Sequence, residues 1–176
     1  MGPERGLGLT AAGAPSLDGR RFTAGSPFLA NYKGKILPLK DGQVTDLGDR
    51  FLEIVFTPGH TPGSTTFIET NAGYGFSGDS FGSGNLLAFG SFSMLTEACQ
   101  KAGAYMEKYG IKYFYPGYYN GKNPDTKQRV NDLMALSRDI LSGKIKGEVS
   151  SRGMMEINLV SFDRGVGIHY SENALR

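Results

Sequence analysis

The stretch "FTPGHTPGS", residues 56–64, constrains this chain more than any other. Pro58 and Pro62 fix φ at their own positions and push Thr57 and Thr61 toward extended geometry, while Gly59 and Gly63 permit backbone angles that a β-carbon forbids. The apolar run Phe51 to Phe56 reads as a mostly buried strand, and Thr65 to Ile68 reads as another. His60, one of two histidines in 176 residues, therefore sits on a stiff connection between strands. A stiff loop aims a side chain.

Around this turn the chain reads as strand-rich first and mixed afterwards. Lys35–Leu39 and Gln43–Leu47 are expected as short strands joined at Asp41-Gly42, a favoured hairpin dipeptide. Thr65–Glu69 and Tyr74–Ser77 form a second hairpin, which ends at Gly78-Asp79-Ser80. Leu95, Ala98, Cys99, Ala102, Tyr105, Met106 and Tyr109 recur at helical spacing before Gly110, so residues 93–109 are an amphipathic helix. A strand over Lys112–Tyr115 runs into Pro116-Gly117-Tyr118-Tyr119. A second helix is expected to start at Asn123-Pro124, with asparagine as cap, and to bury Val130, Leu133, Met134, Ser137, Ile140 and Leu141 before Gly143 ends it. Met154–Phe162 and Val166–Tyr170 read as a last hairpin around Asp163-Arg164-Gly165, with His169 as a surface or hairpin histidine. The class is α/β (α+β): a mostly antiparallel or mixed sheet with helices on one face.

Composition narrows the function. A net charge of +2 creates no strong field, so neither nucleic acid nor an anionic membrane is implied as partner. No apolar run approaches the roughly 20 residues a bilayer needs. A single cysteine, Cys99, excludes an internal disulfide framework and fits a reducing compartment, and the expected location is cytoplasmic. Cys99 lies on the apolar helix stripe and reads as a small buried hydrophobe. Hydrophobic residues make up 39%, enough for a core, and residues 1–32, which open on a Gly-, Ala- and Pro-rich stretch, are expected to be a flexible lead-in to a unit over 33–176. The apolar loop Phe81–Phe92 reads either as a pocket wall or as core filling.

"TPGHTPGS", then after a hairpin "FSGDSFG", then a helix, a strand and "YPG", resembles the second half of the metallo-β-lactamase superfamily over residues 33–176. The resemblance implies the C-terminal half of an αβ/βα sandwich. It implies that His60 is a zinc (or iron) ligand and that Asp79 is a metal-bridging, catalytic carboxylate. It also implies metal-dependent hydrolysis of an ester, thioester, lactam or phosphoester as the activity. Two departures concern the metal. The family's early His-x-His-x-Asp-His run has no counterpart here, and Tyr118 stands where the family has a histidine after Pro-Gly. A phenol with pKa near 10 substitutes poorly for imidazole. Tyr118 and Tyr119 are instead candidates for the wall of a small-molecule substrate pocket.

A catalytic zinc normally takes three protein ligands and a water. With two recognisable donors, two readings stay open. One is a hydrolase completed by a homodimer partner or by a missing N-terminal half. The other is a non-catalytic binding or scaffold domain that holds no metal. In either reading the strands at Phe51, Thr65 and Met154 are expected to leave an apolar face that a partner covers.

Overall fold

The structure is a computed structural model that describes residues 37–82, 84–154 and 157–176, with the backbone alone over 151–154. The lead-in expected over 1–32 lies outside the described residues. Among those described, nine strands fall into two sheets with two helices packed on them, an α+β architecture. Sheet 1 has the order β1 (Val44–Asp46), β2 (Phe51–Phe56), β3 (Thr65–Glu69), β4 (Tyr74–Gly78), β6 (Tyr113–Pro116), antiparallel except for the β4–β6 pair. Sheet 2 has the order β5 (Leu86–Ala88), β9 (Val166–Tyr170), β8 (Ile157–Asp163), β7 (Glu148–Met154), with β5 parallel to β9.

Helix α1 (Phe92–Tyr109) starts where the Ser91 hydroxyl accepts from Met94 N and stops at Gly110, whose φ of 62° is left-handed. Its buried stripe, Leu95, Ala98, Cys99, Ala102 and Met106, is the stripe expected from spacing. Helix α2 (Lys127–Leu141) begins three residues later than expected. Asn123 is not the cap, because Asp125 exchanges both backbone hydrogen bonds with Phe114 of β6 at 2.8 and 2.9 Å, which keeps that segment extended. Thr126 caps instead, its hydroxyl accepting from Arg129 N. Leu141, expected inside, is exposed in the final turn, whereas Leu136 is fully buried.

Among the described residues one core joins both sheets to both helices. Val55, Ile68 and Phe114 from sheet 1 and Val166, Ile168 and Tyr170 from sheet 2 meet Phe92, Leu95, Val130, Leu133 and Leu136. Phe81 stacks on Phe114 at 5.9 Å, and Phe92 meets Tyr170 edge-on at 4.9 Å. Strand alternation puts Phe67, Tyr74, Phe76 and Tyr115 on the other face of sheet 1, where Phe76 is 45% exposed.

Several sequence expectations shift. Leu37–Leu39 form no strand, and the Asp41-Gly42 turn closes no hairpin of its own. The Asp41 carboxylate accepts from Phe56 N at 2.8 Å and pairs with Lys101 of α1, so this segment crosses the end of β2. The last hairpin turns at Arg164 (φ 51°) and Gly165 (φ 77°), both left-handed as a two-residue type I′ turn requires. Strands β5 and β7 were not expected, and they turn what reads as one sheet into two.

Burial pushes the Cys99 thiol up to about 12, so almost none of it is thiolate at neutral pH. We expect native protein to label with a thiol reagent at pH 8 at least a hundredfold more slowly than unfolded chain. Leu133→Ala, which empties a fully buried site, should lower unfolding free energy by about 2–5 kcal/mol and speed the labelling. Equal labelling rates in native and unfolded protein would contradict the assignment of this core.

Candidate functional site

The turn after β2 is held at several points. Thr57 N donates to Ser64 O (2.9 Å), Ser64 N donates to Thr61 O (3.2 Å), and the Ser64 hydroxyl accepts from Thr61 N (3.0 Å). Gly59 is required by packing: a β-carbon there would lie 2.6 Å from Leu95 Cδ1 and 3.2 Å from the Leu95 backbone on α1. From the other side, Phe89 N donates to His60 O (2.9 Å) and Gly90 N donates to Gly59 O (3.0 Å), binding the turn to the segment after β5.

Asp79 follows β4, where Gly78 adopts φ 54°. A hydroxyl chain ties its turn to the histidine turn: Thr57 Oγ1 lies 2.8 Å from Thr66 Oγ1 and 2.9 Å from Ser80 Oγ, and all three residues are buried. Gly117 makes room for the carboxylate, since a β-carbon at that position would approach Asp79 Oδ1 to 2.9 Å. Gly117 N donates to Gly78 O at 2.8 Å, so the Pro-Gly turn after β6 and the Gly-Asp turn after β4 are fastened together.

These turns bring the two expected donors face to face. His60 Nε2 stands 3.8 Å from Asp79 Oδ2 in a cleft of about 460 Å³ walled by Thr65, Phe67 and Phe76. His60 Nδ1 is 2.7 Å from the Leu87 carbonyl oxygen, and the ring meets Phe89 edge-on at 5.5 Å. A carbonyl only accepts, so Nδ1 carries the proton, and in neutral imidazole the lone pair then sits on Nε2. Two acceptors thus face each other, an arrangement satisfied by a proton or a cation between them. A backbone carbonyl fixing the tautomer of a ligating histidine is the usual orienting device at metal sites. Zinc bonds of about 2.0–2.2 Å to each group are compatible with the observed separation. The pair therefore fits part of a metal site. Among the described residues no group of three or more His, Cys, Asp or Glu side chains is placed to hold an ion.

Tyr118 is 80% exposed on the Pro-Gly turn. Tyr119 packs edge-on against Tyr115 at 5.1 Å and lines a separate cleft of about 470 Å³ with Tyr113, Lys122 and Pro124. Neither tyrosine is among the residues that wall the His60–Asp79 cleft. His169 lies on β9 in register with Leu87, its ring nitrogens 3.4 Å from Asn85 and Ser150 side chains.

Sequence reasoning passed over Asp125 and Arg129. Asp125 is fully buried, accepts from the Ser77 hydroxyl (3.1 Å) and pairs with Arg129 Nε at 3.0 Å. Burial pushes its carboxyl from 3.8 up to about 6, outweighing the opposing pull of Arg129 and Ser77. The only signal in sequence was an Asp and an Arg four apart at a helix start, which ordinarily reads as a surface pair.

The sequence profile of the metallo-beta-lactamase superfamily matches residues 3–118, and the chain belongs to that superfamily. Over 87 residues, 48% of this chain, it is 30% identical to the acyl-coenzyme A thioesterase MBLAC2 of Bos taurus, and equally to that of Homo sapiens. The match spans 31% of each, about a third of the length of these curated relatives. Similar solved structures include a metallo-beta-lactamase family protein of Thermus thermophilus, 21% identical with a TM-score of 0.47, covering 62% of this chain and 38% of that one. A metallo-beta-lactamase of Staphylococcus aureus is 17% identical with a TM-score of 0.39, covering 68% and 40%.

A carboxyl whose pKa is higher folded than unfolded binds more protons in the native state between the two values, so it lowers stability as pH rises through that window. For Asp125 the window runs from 3.8 to about 6. Between about pH 3.5 and pH 7 the unfolding free energy of wild type should therefore fall relative to Asp125→Asn by on the order of 3 kcal/mol. Parallel stability–pH curves for the two proteins would show that the carboxyl titrates normally.

Proposed function

We propose that this chain supplies the His60–Asp79 side of the metal centre of a hydrolase, with zinc or iron as the metal and an acyl-coenzyme A thioester as the substrate class. One observation carries this: an imidazole with its proton committed to the Leu87 carbonyl turns its free nitrogen toward a carboxylate 3.8 Å away. Superfamily membership and the partial match to an acyl-coenzyme A thioesterase support the reaction class.

A metal bound there supplies a Lewis acid and lowers the pKa of bound water to about 7. His60 contributes a neutral nitrogen in one fixed tautomer. Asp79 contributes the negative charge, and Gly117 leaves open the space that its carboxylate occupies. Phe67 and Phe76 form an apolar wall on one side of the cleft.

The remaining donors come from polypeptide beyond the described residues, either a missing N-terminal half or a second copy of the chain. Because the helices fill the opposite face of sheet 1, that polypeptide approaches over Phe67, Tyr74 and Phe76. A single buried cysteine fits a cytoplasmic location, and no helix among the described residues is long and apolar enough to cross a membrane. The second reading, a binding or scaffold domain without metal, draws on the absence of a third donor among the described residues.

Elemental analysis of purified protein separates the two. The proposal expects zinc or iron near one equivalent per chain, lost in His60→Ala and Asp79→Ala, together with hydrolysis of an acyl-coenzyme A thioester that chelator abolishes. Protein that stays metal-free after incubation with either ion at pH 7–8, both alone and with the polypeptide that covers the Phe67 and Phe76 face, supports the scaffold.

A further inference from the structure

We infer that Asp125 and Arg129 are positioning residues that hold both donors of the His60–Asp79 pair from behind, through one buried ion pair. The Arg129 guanidinium donates to three carbonyls of the segment that follows Asp79: Nε to Gly82 O (2.8 Å), and Nη2 to Phe81 O (3.1 Å) and to Gly84 O. The same Nε lies 3.0 Å from Asp125 Oδ1, whose other oxygen accepts from Ser77 Oγ at 3.1 Å. Asp79 is thereby bracketed, with the residue two before it tied to the carboxylate of the pair and the residue two after it tied to the guanidinium.

The segment needs such a clasp. Four residues of "GDSFGSGN", 78–85, are glycine or asparagine, which impose little backbone preference of their own. The segment also leads directly into β5, where the Leu87 carbonyl fixes the His60 ring. β5 is held along one side by β9, and where the chain enters it from Asp79, Arg129 is the anchor. One planar fork reaching several carbonyls is a task for arginine; lysine offers a single point of charge. Asp125 is in turn fixed to β6 by its paired backbone bonds with Phe114, so the clasp is referenced to the same sheet that carries the Asp79 turn.

The metal-affinity part of this inference rests on the proposed hydrolase site; the geometric part does not. Arg129→Lys keeps the charge opposite Asp125 and loses the fork. In metal-free protein, imidazole nitrogen NMR at pH 8 reads two histidines only, His60 and His169. Wild type should show His60 as the Nδ1-protonated tautomer. Arg129→Lys should shift His60 toward the Nε2-protonated form and move the Asp79 and Gly117 amide signals. Where Arg129→Lys does not fold, Asp125→Asn takes its place with the same readout. For zinc, affinity measured by titration should fall about 10–100-fold in the variant. A His60 spectrum identical to wild type in a folded variant overturns the inference, whether or not zinc binds. Zinc that fails to bind wild type counts against the hydrolase and leaves the NMR comparison to decide the clasp.

Discussion

The site depends on a hydroxyl, that of Thr57. Strand alternation sends Thr57 and Thr66 to the helix side of sheet 1, where both are fully buried, and Ser80 joins them from the turn after β4. Apolar contact is non-directional, and two turns in contact through methyl groups alone could slide past each other. Hydrogen bonds of 2.8 and 2.9 Å between buried hydroxyls cannot slide without orphaning a group, which costs about 1–3 kcal/mol. The two turns are therefore locked in register, and His60 and Asp79, three residues after Thr57 and one before Ser80, inherit that register.

Beneath this polar lock, the hydrophobic core supplies the stability and the site spends some of it. Phe81 is the link between the two: its ring stacks on Phe114 in the core while its carbonyl accepts from Arg129. A residue anchored by its side chain and by its backbone has little freedom, although its neighbours Gly82 and Gly84 have much. The Asp125–Arg129 pair is buried at one end and partly exposed at the other, with Asp125 fully covered and Arg129 at 18%. Its energetic worth is modest, because desolvation opposes the charge attraction. Its structural worth is the set of directions it imposes on carbonyls that no strand partner satisfies.

Much of this was legible in the sequence where one period dominated. The β2–turn–β3–β4 run and helix α1 were readable because alternation and three- and four-residue spacing persisted across each. Helix α2 began late because the asparagine and proline at 123–124 give a start signal that a tertiary event, the Asp125–Phe114 bridge, overrides. β5 is three residues long inside a glycine-rich stretch, and β7, Glu-Val-Ser-Ser-Arg-Gly-Met, has no alternation, so neither carried a readable signal. The same contrast holds at the site. His60 and Asp79 were readable because prolines and glycines announce stiff turns. The Leu87 carbonyl was not, since any residue offers one.

The geometry also limits what can complete the site. Sheet 1 has its helix face filled by α1 and α2, and the His60–Asp79 cleft opens beside Phe67 and Phe76 on the other face. Donors from helices α1 and α2 would have to pass through the core, so a completing group has one direction of approach. That direction crosses an aromatic surface in which Tyr74, Phe76 and Tyr115 already touch one another, at ring separations of 5.6 to 6.2 Å. Under the proposed function, covering that surface and completing a coordination sphere would be one event: the polypeptide that removed Phe76 from water would also bring the missing donors, so metal affinity and burial of this face should rise and fall together.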